Sequence, residues 1–205
     1  LYNEITPLSF RVRPARVTYR DTDRNRREDT QFNFLIEDDS DMARRNGRLV
    51  PLQVPTGEVR SSQLDPEATA VYTLFQYMIG NLDWDAVNGH PGDDCCHNSK
   101  FVAATAETRT NVRPVPYDFD FSGFVNAPYA TPPEGIELPN IRTRLYRGYC
   151  RYNDQLPAAI ALFQSRRAAI LAVVDNETRL TDASRRYARG YLEGFFDIID
   201  DPDRV

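Results

Sequence analysis

Strand patterns and helix patterns occupy different parts of this chain, and their separation limits the folds that it can form. Alternating apolar and polar residues, which are typical of strands, occur at Ser9–Arg20 and Gln31–Glu37, and again at Ser99–Ala106 and Asn111–Tyr117. Beyond these segments the apolar residues recur mainly at helical spacing. We therefore predict an α+β fold, with a small mixed sheet and with helices gathered toward the C-terminal side.

The helix signal at Leu64–Ile79 is the clearest in the first half of the chain. Asp65 is a residue type that caps helix N-termini, and Pro66 suits the first helical position. Gly80 is suited to end the helix. A polar loop is expected to follow it.

The last third of the chain is expected to be helical. We predict a short helix over Leu138–Tyr149 and longer helices over Gln155–Val173 and Thr181–Ile199. The last of these has a stripe of apolar residues at helical spacing, which predicts a buried face. The members of this stripe are Tyr187, Tyr191, Leu192, Phe195, Phe196 and Ile199.

In the first half of the chain, Asp38–Ser62 is interpreted as a connector with one helical turn.

The overall charge disfavours some classes of partner. Lys and Arg number 25 against 30 Asp and Glu, which gives a net charge of −5 and argues against a nucleic-acid partner. The longest apolar stretches, near 70–79 and 158–174, are interrupted by polar residues, so we predict no membrane span. The chain begins at Leu1 rather than Met, and we expect it to be a fragment or a processed form.

Cysteine and arginine give weaker signals. Cys95, Cys96 and Cys150 do not form the even set of a disulfide framework, although one bridge from Cys150 to either of the others stays open. Lys100 is the single lysine, and the basic residues are otherwise arginine. We interpret the run IRTRLYRGYCR as a solvated helix face, with four arginines that pair with acidic residues. They are Arg142, Arg144, Arg147 and Arg151.

Two loops are dense in groups that bind metals and phosphates. The first follows the helix at Gly80 and continues to Lys100, and the second is the segment Pro116–Gly123. A predicted β-hairpin lies between them, so both loops are expected at the same edge of the fold. Phosphoryl transfer needs a carboxylate that orients a hydroxyl and hard oxygen ligands for Mg²⁺. Asp83, Asn98 and Asp118 supply these groups in that order.

The runs MIGNLDWD, HNSKFV and PVPYDFDFSG, which lie within residues 78–123, resemble the active-site segment of the spore coat protein H family of atypical kinases. They are similar, more distantly, to the HipA toxin kinases and to a family of secreted atypical kinases. The resemblance implies a kinase-like fold that lacks most of its N-lobe. Residues 1–63 would form the remaining lobe strands and the hinge, and residues 64–205 would form a helical C-lobe with the catalytic and metal-binding loops.

The same resemblance implies a role for each motif residue. Asp83 would be the catalytic aspartate, with Asn98, Asp118 and Asp120 as metal ligands for ATP with Mg²⁺ or Mn²⁺. The partners would be a nucleotide and an unidentified protein or small-molecule acceptor. Supporting members near the phosphates would be Asn81 and Lys100. Further candidates are Asp85, which is an alternative to Asp83 because the long insert DAVNGHPGDDCC shifts the register of the first loop, and His97.

Other interpretations of these residues stay open. The aspartates could form a solvated turn and the acidic face of an edge strand. The chain could be a non-catalytic, pseudokinase-like module that binds nucleotide or metal, or the DFD run could hold a metal diphosphate as in glycosyltransferases. A zinc site would require an unusual ligand spacing. Its ligands would be His90, Cys95, Cys96 and His97.

Overall fold

The computed structural model describes residues 1–23, 28–54, 59–89 and 95–204 of the chain. It confirms the α+β class. The α-helices are α1 (Tyr2–Ile5), α2 (Asp39–Arg45), α3 (Pro66–Ile79), α4 (Leu156–Asp175) and α5 (Asp182–Ile199). The strands are β1 (Val12–Tyr19), β2 (Asp29–Ile36), β3 (Val50–Leu52), β4 (Ser99–Ala103) and β5 (Arg113–Pro116). Two 3₁₀ helices lie at Ser61–Gln63 and Cys150–Gln155.

The described strands form two antiparallel sheets, and neither is the small mixed sheet that we predicted. Within the described residues, strands β1 and β2 pair only with one another and form an arm, and residues 24–27 between them lie outside the described residues. Phe32 and Phe34 are 60% and 59% exposed on this arm. The second sheet has the order β3–β4–β5, and the hairpin β4–β5 lies where the sequence predicts it, with shorter strands.

Helix α3 begins and ends at the predicted signals. The Asp65 Oδ1 atom accepts a hydrogen bond of 2.9 Å from the Ala68 backbone N–H, which caps the N-terminus. Gly80 has φ 61°, a left-handed conformation that glycine adopts readily, and it ends the helix. The start of the loop after α3 is therefore fixed by local sequence.

The main core lies among α3, α4 and α5. The predicted stripe of α5 is buried as expected, except that Tyr187 is half-buried. A second apolar cluster lies where α3 meets the second sheet, and it includes Tyr72, Trp84 and Phe101. The two clusters share α3, so both candidate loops emerge from well-packed elements. The largest fully buried side chains of the main core are Met78, Phe163, Ile170, Leu192, Phe195 and Phe196.

Two predictions about connecting segments are wrong. Residues 138–149 form no helix, because Arg144 Nε donates to the Met78 carbonyl at 3.2 Å and Arg147 Nη1 donates to the Leu82 carbonyl at 2.6 Å. These bonds hold the segment across the end of α3. Arg144 and Arg147 therefore do not lie on a solvated helix face as we predicted. The predicted connector 38–62 instead contains α2 and the short strand β3.

The cysteines and the longest helix complete the described fold. Cys95 and Cys96 are bonded to each other, and Cys150 is free and exposed, so the bridge to Cys150 is not formed. One helical stretch, Cys150–Asp175, is long and apolar enough to cross a bilayer by length and composition. Core helices of soluble proteins meet the same criterion, and this stretch contributes Phe163 and Ile170 to the core.

Candidate functional site

The structure brings the two acidic loops together at the end of α3. The Gly123 backbone N–H donates to the Gly80 carbonyl at 3.0 Å, and the Phe124 N–H donates to the Ile79 carbonyl at 2.9 Å. Asn81 and Ser122 form an antiparallel bridge between the same segments. The loop that follows α3 and the loop that follows β5 are therefore joined through their backbones.

Asn81 links the two loops through its side-chain amide. This side chain is buried, its Oδ1 accepts from the Asp83 N–H at 3.0 Å, and its Nδ2 donates to the Asp118 carbonyl at 3.3 Å. The Asn81 carbonyl accepts from Trp84 Nε1 at 3.0 Å. Because one amide contacts both loops, Asp83 and Asp118 each lie one hydrogen bond from the same side chain.

The carboxylate of Asp83 is held on both oxygens. Its Oδ1 lies 2.8 Å from His97 Nε2, and its Oδ2 accepts from Asn98 Nδ2 at 3.0 Å. Asn98 Nδ2 also donates to the Asp83 carbonyl at 2.8 Å, and Asn98 itself has a left-handed φ of 51°. These bonds fix the orientation of Asp83. The Oδ1 atom of Asn98 accepts no hydrogen bond from the part of the chain that the structure describes.

Asp118 and Asp120 form a pair of adjacent carboxylates. Burial raises the pKa of Asp118, and the negative charge of Asp120 raises it further, although the Asp120 N–H partly offsets this by donating to Asp118 Oδ1 at 3.4 Å. Tyr129 Oη donates to Asp120 Oδ2 at 3.1 Å. Neither carboxylate forms an ion pair within the described ranges. The pair therefore concentrates negative charge that a cation would stabilise.

Asp85 has a structural environment that differs from that of Asp83. Its Oδ1 accepts from the backbone N–H groups of Val87 and Asn88, at 2.7 and 3.0 Å, and its Oδ2 accepts from Asn88 Nδ2 at 3.2 Å. These bonds close a local turn of the kind that aspartate commonly stabilises. Asp83 contacts His97 and Asn98 through its carboxylate, whereas Asp85 contacts His97 through its backbone N–H, which donates to the His97 carbonyl at 3.0 Å.

Lys100 lies beside the second loop rather than at the carboxylates. It is exposed on β4, and its Nζ lies 5.3 Å from the ring centroid of Tyr117, the residue that precedes Asp118. It forms no ion pair within the described residues. Its ammonium group can therefore contact an anion bound near this loop.

The donor set suits a hard divalent cation better than zinc. Among the described residues no three His, Cys, Asp or Glu side chains lie together as a metal-binding group. Of the four candidate zinc ligands, His90 lies outside the described residues, the two cysteines are bonded to each other, and His97 contacts Asp83. Carboxylate and amide oxygens are the ligand types that Mg²⁺ takes when a substrate supplies further oxygens.

Two features of the site, a set of arginine contacts and a cavity, are not evident from the sequence. Arg147 donates to the Leu82 carbonyl, and its guanidinium lies 5.4 Å from the ring centroid of buried Trp84, which fixes the first loop from outside. A cavity of about 150 Å³ adjoins Asp83 and Phe121. The other residues that line it are Thr131, Pro132, Pro133, Glu134 and Ile141. Both features depend on residues that are distant in sequence, so no local pattern predicts them.

Comparisons with protein-family models, with curated proteins and with solved structures gave no match to this chain. The functional argument therefore rests on the geometry of the two loops.

Proposed function

We propose that this chain is a kinase-like phosphotransferase that resembles the spore coat protein H family, and that it moves the γ-phosphate of ATP to a hydroxyl acceptor. The observation that carries the proposal is the Asn81 amide, which ties the Asp83 loop to the Asp118 loop at 3.0 and 3.3 Å. One phosphate group has to reach both a proton acceptor and a bound cation, and this link keeps the two loops close.

Asp118, Asp120 and Asn98 fit the cation that ATP requires. The raised pKa of Asp118 reflects burial and the charge of Asp120, and a divalent cation would relieve that repulsion. Asn98 uses its amide nitrogen to hold Asp83, which leaves its Oδ1 as a further oxygen ligand. Mg²⁺ or Mn²⁺ held there would neutralise charge on the phosphates. Lys100 supplies a nearby positive charge.

Asp83 is the residue suited to orient the acceptor. In the proposed reaction its carboxylate accepts the proton of the acceptor hydroxyl, and the hydroxyl oxygen bonds to the γ-phosphorus. The bond from that phosphorus to the β–γ bridging oxygen breaks, and ADP leaves. His97 and Asn98 position Asp83 through its two oxygens. The adjoining cavity of about 150 Å³ offers room for a small hydroxyl-bearing group.

One observation favours a second function, that of a non-catalytic module that binds nucleotide and metal. Both oxygens of Asp83 already have partners, His97 and Asn98. If those bonds persist with nucleotide bound, Asp83 has less capacity to accept a proton. This alternative keeps the cation site at Asp118 and Asp120 but has no turnover.

The test combines binding and turnover. Thermal unfolding is measured with ATP and Mg²⁺ or Mn²⁺ for the unaltered chain, for Asp118→Asn and for the control Asp154→Asn, an exposed aspartate without partners among the described residues. We expect a metal-dependent rise in Tm that Asp118→Asn abolishes and Asp154→Asn retains. A rise that survives Asp118→Asn would contradict the proposed cation site.

Turnover separates the two functions. ADP release is measured for the unaltered chain and for Asp83→Asn, which keeps the size of the side chain but removes its basicity. The phosphotransferase proposal expects ADP release that Asp83→Asn reduces at least about a hundredfold with binding retained. Binding without ADP release by the unaltered chain would favour the non-catalytic module.

A further inference from the structure

A groove of about 570 Å³ lies on the side of α5 that faces residues 140–144, and arginine dominates its lining. Three of its eight lining residues are arginines, Arg142, Arg144 and Arg186, and no carboxylate is among the lining residues. None of the three forms an ion pair within the described part of the chain. In a chain with a net charge of −5, three unpaired arginines at one groove form a local positive site.

The polar groups that remain free in the groove are almost all hydrogen-bond donors. Arginine has five N–H donors and no acceptor. The Asn140 Oδ1 atom already accepts from the Arg142 N–H at 2.9 Å, so this side chain offers its Nδ2 donor. Thr143 adds a hydroxyl. A lining of this kind matches a ligand that is rich in acceptors and negatively charged.

Two of the three guanidinium groups, those of Arg142 and Arg144, are positioned by contacts within the chain before any ligand binds. The guanidinium carbon of Arg144 lies 3.8 Å from the ring centroid of Tyr191, and that of Arg142 lies 4.8 Å from the ring centroid of Tyr187. Arg144 also donates to the carbonyls of Met78 and Tyr191. Burial lowers the pKa of Arg144, yet an arginine stays charged in proteins. Rings and carbonyls thus reduce the entropy that the arginines lose on binding.

We propose that this groove is a binding site for a small phosphate-type anion, with Arg142 and Arg186 as its charged ligands and Arg144 as a fixed cation at its base. Paired guanidinium groups suit phosphate because their N–H donors match its oxygens two at a time. The lining residues of the groove lie outside the two acidic loops, although Tyr187 and Tyr191 contact Gly123 of the second loop, and the proposal does not depend on the proposed phosphotransferase activity.

Isothermal titration in EDTA at constant ionic strength tests the proposal with inorganic phosphate, pyrophosphate and a small phosphomonoester, and with chloride as the control anion. EDTA removes the cations that the acidic loops would use, and Asp118→Asn is expected to leave the affinity unchanged. The strongest probe identifies whether the source is a free phosphate, a diphosphate or a phosphorylated small molecule. Saturable binding of at least one probe is expected.

Two exposed arginines provide the variants. Arg142→Gln and Arg186→Gln are each expected to weaken binding at least about tenfold, while Arg166→Gln, an exposed arginine on α4 outside the groove, leaves it unchanged. Equal binding by all three variants, or binding that follows ionic strength alone, overturns the proposal. So does the absence of binding by every probe.

Gly190 allows a test that does not remove an arginine. It lines the groove within α5, and a Cβ atom there would meet no atom within 4 Å. Gly190→Glu therefore places a carboxylate at the groove in a helix that tolerates it. We expect unchanged or higher Tm with binding abolished. Retained binding in this folded variant would overturn the proposed location.

Discussion

Replacement of Gly80 by alanine tests the close approach of α5 to the candidate loops. A Cβ at Gly80 would lie under 3.0 Å from the Tyr191 hydroxyl oxygen, and Gly80 also has φ 61°. The left-handed backbone costs an alanine about 1–2 kcal/mol, and overpacking adds about 1–3 kcal/mol. Gly47→Ala is the matched control, because Gly47 has φ 85° with no atom within 4 Å of the Cβ position. We expect Gly80→Ala to cost about 2–5 kcal/mol of unfolding free energy and Gly47→Ala about 1–2 kcal/mol.

A double-mutant cycle separates the steric cost from the backbone cost. Tyr191→Phe removes the hydroxyl that a Cβ at Gly80 would meet. It also removes the hydrogen bond that Tyr191 Oη donates to the Arg142 carbonyl at 3.0 Å, which contributes about 0.5–1.5 kcal/mol. The double variant should therefore be more stable than the sum of the single changes by about 1 kcal/mol or more. Guanidinium chloride unfolding with a common m-value gives these energies. An additive cycle, or equal costs for Gly80→Ala and Gly47→Ala, would refute the reasoning.

Three further predictions concern charge and exposed surface. The Glu37 carboxylate accepts a hydrogen bond from Arg45 at 2.8 Å, and this bond is the main cause of its lowered pKa. The stabilisation is therefore present above the ordinary glutamate pKa and is lost as pH falls through the lowered value. The Tm of Glu37→Gln should depend less steeply on pH in the acid range, and an unchanged slope would contradict this. Asp118 has a raised pKa, so its ionisation destabilises the fold as pH rises through that pKa. In EDTA at pH 7, Asp118→Asn should have a higher Tm than the unaltered chain, whereas at pH 3 the two Tm values should be similar. A lower Tm for Asp118→Asn at pH 7 would count against repulsion between Asp118 and Asp120. Phe34→Thr on the exposed arm should change unfolding free energy by less than about 0.5 kcal/mol and reduce self-association measured by light scattering, and a large loss of stability would show that the ring is packed.

The elements that the sequence predicted well are those with local signals. Helix α3 follows from the Asp65 cap, Pro66 and Gly80, all of which act within one helical turn of its ends. Helix α5 follows from its Thr181 cap and from a stripe that recurs at helical spacing. In both helices, short-range chemistry and the packing of the core favour the same structure.

The failures arise where distant residues decide the structure. The segment at 138–149 has helical spacing, yet Arg147 bonds to a carbonyl 65 positions earlier in the chain, and Arg144 does so over 66 positions. Strand β3 has three residues including Pro51, and it is a strand only because Val50 and Leu52 pair with β4. Neither contact leaves a periodic pattern in the sequence.

The residue types of the candidate site could be predicted from the sequence, whereas the arrangement of those residues could not. The residue types of the two loops indicate oxygen ligands and a carboxylate, and those remain predictions about chemistry. Their proximity depends on backbone hydrogen bonds and on the Asn81 amide, which together join residues on either side of a hairpin. The engagement of Asp85 in a local turn could be anticipated from its residue type, whereas the partners of Asp83 could not.

The hydroxyls of α5 affect how shortened versions of this chain can be used. Tyr187 donates to the Gly123 carbonyl, and Tyr191 lies against both Gly80 and Gly123, so the final helix supports the backbone of the two acidic loops from behind. A version that ends before Thr181 would lose this support. Under the phosphotransferase proposal, loss of metal binding on such trimming would report a displaced loop, because the proposed cation ligands lie outside the removed helix. A fragment used to test that proposal has to retain α5.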